Sequence, residues 1–127
     1  MKIKFGITPI DSLEYYKTLL KNDRSREELK YIPTTVILEL SENIAFSKLL
    51  LTHPYYKIRA AYASITSTIS DQQKLSLDIN WAVRLSLATN PKLNLHLLEV
   101  LKHDIVEDVR IQAKLTSDKI KSLKKRR

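Results

Sequence analysis

A chain of 127 residues, 43% apolar and 28% charged, is one domain's worth of folded protein, long enough to bury a core and too short for two ordinary domains with separate chemistry. A single glycine, Gly6, disfavours the tight hairpins of a β-barrel and the glycine loops of Rossmann and P-loop enzymes, because glycine alone takes positive φ cheaply. The absence of cysteine excludes disulfides, thiolate zinc sites, a cysteine nucleophile and Cys-ligated iron-sulfur clusters, and the formal charge of +8 is concentrated at one end, with +7 of it between Arg110 and Arg127.

At the start of the chain, Met1, Ile3, Phe5 and Ile7 alternate with Lys2, Lys4 and Gly6, a strand-like pattern that predicts an extended arm. The first ten residues lack the apolar run of a secretion signal and no 18-residue apolar run follows, so the expectation is a cytoplasmic protein without a membrane span. Asp11 and Glu14 form a capping-box pattern before Leu13, Tyr16, Leu19 and Leu20, and Ser25 to Tyr31 can form a short companion helix. Residues 1–33 are therefore expected to be an arm and capping helices.

Self-similarity then organises residues 34–118. Ile58-Arg59-Ala60-Ala61-Tyr62-Ala63, Val83-Arg84-Leu85-Ser86-Leu87-Ala88 and Val109-Arg110-Ile111-Gln112-Ala113-Lys114 align, with starts 25 and 26 residues apart. A weaker copy, Val36 to Ser41, begins 22 residues before Ile58 and lacks the arginine. Within each unit the pattern predicts helix, turn, helix. Ile44 to Leu51 ends before Pro54, and Ser70 with Gln73 makes a capping box for a helix through Leu77. Asn80 to Thr89 has helical spacing and is stopped by Asn90-Pro91, and Asn94 caps a helix through Lys102. Ser117 is the expected cap of a last helix entering the tail. Tyr62 holds the place of Leu40, Leu87 and Ala113, which predicts burial. Helices of about ten residues are marginal alone in water and must bury against neighbours, which is the physical basis of an α-solenoid.

Residues 119–127 form a basic tail expected to continue the last helix. Its Lys119, Lys121, Lys124, Lys125, Arg126 and Arg127 are the candidates for contact with a polyanion, while the other 109 residues of the chain, outside 110–127, are nearly neutral.

The run Ala88-Thr89-Asn90-Pro91 with Leu97-Leu98, Asp104 and Val109-Arg110 resembles the variant leucine-rich repeat, a member of the broader HEAT-like helical repeat class. The resemblance covers roughly residues 34–127 and is closest over 83–110. It implies an all-α fold, a short right-handed α-solenoid of two-helix repeats with an N-terminal helical cap. It implies architecture far more than function. HEAT-like repeats also link neighbouring units through an acid and a basic residue. Asp78 stands six residues before Arg84, Asp104 six before Arg110, and His53 six before Arg59, so these residues are expected to form a structural ladder rather than a catalytic site.

The remaining chemistry is sparse. His96 and His103 lie two helical turns apart, about 10.5 Å, too far to share one ion, and no HExxH or GxSxG occurs. No catalytic residue, cofactor or metal is expected. Tyr55 and Tyr56, of which one should point outward, and Trp81, the sole tryptophan, are the candidates for contact with a partner. The expected function is a non-catalytic binding or adaptor module that holds a protein partner. The alternative is nucleic-acid binding through the basic C-terminal helix, and a third class is base excision by a HEAT-like DNA glycosylase with a cleft around Trp81 and Asp78.

Overall fold

The computed structural model describes residues 9–22 and 26–125, and within them every regular element is an α-helix. The alternating arm, Met1 to Ile7, lies outside the described residues. Helix α1 spans Pro9–Leu20, so Asp11 sits inside the helix rather than capping it. Proline is well suited to a first helical turn, where its missing N–H has no intrahelical partner anyway. The short α2, Arg26–Leu29, follows and buries Leu29.

Three pairs of short helices come next: α3, Thr34–Ser41, with α4, Ile44–Leu51; α5, Tyr56–Ala63, with α6, Ile69–Ser76; and α7, Trp81–Ala88, with α8, Leu95–Leu101. Five of these six helices have eight residues and α8 has seven. Their starts follow local chemistry. The side chains of Asn43, Asn80 and Asn94 each accept backbone N–H groups of the turn that follows, supplying acceptors for donors that no helical carbonyl can reach. Ser70 does not act as a cap: α6 begins at Ile69 after Thr68, which places Ser70 within the first turn.

The last unit departs from helix, turn, helix. Helix α9 runs unbroken over 19 residues, Glu107–Lys125, and Ser117 is a buried residue in its middle rather than the cap of a separate helix. No proline or glycine interrupts 107–125, whereas Pro54 and Pro91 stand in the links of earlier units. Helix α9 thus extends into the basic segment as far as Lys125.

The first helices of successive units pack in order, α3 on α5, α5 on α7 and α7 on α9, while α6 packs on α8. A common apolar layer results, in which Ile37, Leu50, Ile58, Val83, Leu87 and Val109 have no solvent-exposed surface. Tyr62 is buried as its alignment requires.

Polar side chains tie the units together at the far ends of these helices. Asn90, fully buried, donates to Ala63 O at 2.9 Å and Thr66 O at 2.8 Å, and accepts from Lys92 N–H at 2.8 Å. One unit on, Thr116 Oγ1 donates to Ala88 O at 2.6 Å. Ala63 and Ala88 are the last residues of α5 and α7, so in both cases the following unit satisfies a carbonyl that the helix end leaves open. Gln72, also fully buried, donates to Thr66 O and Lys92 O and accepts from Asn94 N–H. Among the described residues no buried side-chain nitrogen or oxygen lacks a partner.

Candidate functional site: the arginine ladder and the surfaces beside it

At the opposite ends of the same helices, arginines from consecutive units repeat one set of hydrogen bonds. Arg59 donates from Nε to Asp78 Oδ2 at 2.7 Å and from Nη2 to Asp78 Oδ1 at 3.1 Å, a bidentate fork across 19 residues of sequence. Arg84 does the same to Asp104 at 2.7 and 3.2 Å, across 20 residues. The six-residue spacing has a separate meaning. Arg59 Nη1 donates to His53 O at 2.7 Å, Arg84 Nη1 to Asp78 O at 2.6 Å and Arg110 Nη1 to Asp104 O at 2.8 Å. Each arginine thus braces the turn before its own helix, and two of them reach forward to the acid of the next unit.

The acids do a second job. Asp78 Oδ1 accepts from Asn80 N–H and Asp104 Oδ1 from Val106 N–H, both at 2.9 Å, which fixes the turn entering α7 and α9. In the earlier unit His53 takes this place. Its Nδ1 accepts from Tyr55 N–H at 3.1 Å, which leaves Nε2 protonated to donate to Leu20 O at 2.9 Å.

Side-chain exposure is 10% for Asp78 and 8% for Asp104, so the environment of each carboxyl is set by competing effects. Burial acts to raise both. The arginine forks, the backbone N–H bonds and the positive charge of Arg59 and Arg84 on Asp78, and of Arg84 and Arg110 on Asp104, outweigh it and hold both carboxyls below the usual aspartate value. Both oxygens of each carboxylate are thus engaged by the arginine and the turn. Arg59 with Asp78 and Arg84 with Asp104 form the two paired rungs, while Arg110 makes the carbonyl brace to Asp104.

The aromatic candidates separate. Tyr55 is 8% exposed and belongs to the core, with the Arg26 guanidinium 5.4 Å from its ring centre. Tyr56 is half-buried and meets Tyr55 edge-on at 5.7 Å, so the pair does not present an outward ring at Tyr55. Trp81 is exposed at the start of α7.

Beside the ladder acids lies an apolar surface that sequence reasoning missed. Ile79 and Ile105, the residues next to Asp78 and Asp104, are 97% and 90% exposed, and Leu77 is exposed as well. They border a shallow groove of about 370 Å³ with Val100 and His103. The signal was present in the alignment: an isoleucine follows the ladder acid in two units, where the turn geometry has no place for it inside, and the equivalent residue after His53 is Pro54.

On α9, Lys119, Lys121, Lys124 and Lys125 are all exposed, and none forms an ion pair among the described residues. Arg126 and Arg127 lie outside the described residues. No described helix is long and apolar enough to cross a membrane. No family model, curated protein or solved structure matches the chain.

Proposed function

We propose that the chain is a short right-handed α-solenoid of HEAT-like two-helix repeats that works without catalysis, as a binding or adaptor module for a protein partner. The recurring arginine ladder supports the solenoid, because a rung repeated at 19 and 20 residues ties unit to unit in one register.

The observation that carries the function is the exposed apolar row of Leu77, Ile79 and Ile105, with Trp81 two residues beyond Ile79. Four large apolar residues on the turns and helix start of adjoining units suit a protein interface better than solvent. The polar groups between them are already spent on the fold. Asp78 in particular gives both oxygens to Arg59 and Asn80, which leaves a base-excision site there without a free acid.

The test is capture of partners on the full chain and on an Ile79→Ser, Ile105→Ser variant, with and without nuclease, at 50 and 300 mM salt. A protein that survives nuclease and high salt and is lost with the variant supports the reading. A partner released by nuclease overturns it in favour of nucleic-acid binding through α9, for which the unpaired lysines speak. In that case five phosphate contacts would give a slope of log K against log salt of about −4 to −5, lost on truncation at Asp118.

A further inference from the structure

Helix α9 is the last of the described helices, and its face turned away from α7 and α8 differs from the corresponding faces of α5 and α7, which another helix covers. Ala63 and Ala88 stand five residues after the buried Ile58 and Val83, and both are fully buried in helices that another unit follows. The same place in α9 is Lys114, which is exposed. Arg110 follows Val109 as Arg59 follows Ile58, and its Nη1 is braced on Asp104 O in the same way. Yet the fork that clamps a carboxylate at Arg59 and Arg84 forms no ion pair at Arg110 among the described residues. At 100° per residue, Arg110, Lys114, Lys121 and Lys125 fall within one stripe of α9, about 22 Å long.

We propose that this stripe docks an acidic, amphipathic helix of a protein partner, with Arg110 clamping an aspartate or glutamate carboxylate as Arg59 and Arg84 do within the chain. Charge complementarity selects the occupant. The stripe carries four cations, and the acids at its margins, Glu107 and Asp118, leave it positive. Lys121 also faces Glu99 across a cleft of about 150 Å³, but Glu99 is already paired with Lys102 at 2.8 Å. A half-buried guanidinium held by a backbone carbonyl is oriented for a planar, two-point acceptor, which a carboxylate offers. Ile111, 49% exposed, borders the stripe and gives an amphipathic helix apolar contact that a phosphate backbone would not use.

The proposal rests on the reading of the chain as a protein-binding module, and its test separates the two. Fluorescence anisotropy would compare a labelled 18-residue helical peptide of Glu, Asp and Leu with its Gln, Asn and Leu counterpart, and with an 18-nucleotide oligodeoxythymidylate, on the full chain at 150 mM salt. The acidic peptide is expected to bind best, Arg110→Lys to weaken it about five-fold despite keeping the charge, and Lys114→Ala with Lys121→Ala to weaken it about ten-fold. The two lysines are exposed, so that variant should melt as the parent does and any loss of binding reads the surface. Equal binding of the neutral peptide, tighter binding of the oligonucleotide, no effect of Arg110→Lys, or sedimentation showing a dimer that Arg110→Lys dissolves would each overturn the proposal. If the acidic peptide fails while capture still depends on Ile79 and Ile105, the docking site falls and the binding-module reading stands.

Discussion

The turn at His53 and the turns at Asp78 and Asp104 solve the same problem with different chemistry. All three accept a backbone N–H two residues on, and all three lend their own carbonyl to the arginine six residues on. Only the aspartates also receive a guanidinium fork, because only they are preceded by an arginine one unit earlier. In the first copy of the repeat the place of that arginine is taken by Ile37, which is fully buried. His53 instead spends its second nitrogen on Leu20 O, joining the repeats to α1. The brace and the cap are therefore the constant parts of the joint, and the ion pair is added where the preceding unit supplies an arginine and the turn supplies an aspartate.

Breaking a complete rung should cost most. Arg84→Ala strands the nearly buried Asp104 carboxylate and the Asp78 carbonyl, and is expected to lower stability by about 1–3 kcal/mol in chemical denaturation. His53→Ala removes one acceptor and one donor but no charge pair, and is expected to cost about 1–2 kcal/mol. Arg110→Ala, which loses the brace alone, should cost about 1 kcal/mol or less in the same measurement. An Arg110 variant as damaging as Arg84→Ala would show that the brace, not the fork, carries the energy.

Acid sharpens the contrast. Asp78 and Asp104 sit below their ordinary value, so the folded state binds fewer protons than the unfolded chain. The stabilisation is present above the unfolded carboxyl pKa of about 3.9 and is lost as pH falls through the lower folded values. Thermal melts from pH 6 down to pH 2 should show a falling melting temperature below about pH 4, shallower in Asp78→Asn with Asp104→Asn. The smallest effect is expected from Lys119→Ala on the surface of α9, within about 0.5 kcal/mol of the parent.

Elements governed by a few adjacent residues were readable in the sequence. Helix α4 has the expected bounds, α7 lies within the expected 80–89, and Asn94 caps α8. These depend on a side chain reaching its own next turn. The misplaced starts at Asp11, Ser70 and Ser117 come from other cap-forming residue types in positions where the preceding chain is already helical, so the cap has nothing to begin. The ladder residues were legible as a set, but the pairing was not: the six-residue spacing turned out to bind a carbonyl, and the carboxylate belongs to the arginine one unit earlier. The burial of Tyr55 depends on the core beneath its ring and on Arg26 of α2, and adjacent tyrosines carry no periodic sign of which turns inward.

The unequal helix lengths set how the chain loses its order. A segment of eight residues cannot persist in water by itself, so α3 to α8 exist only while their neighbours do and should melt in a single event. Nineteen residues without a breaker are enough for α9 to keep some helix of its own, so a trace of ellipticity should outlast the collapse of the core.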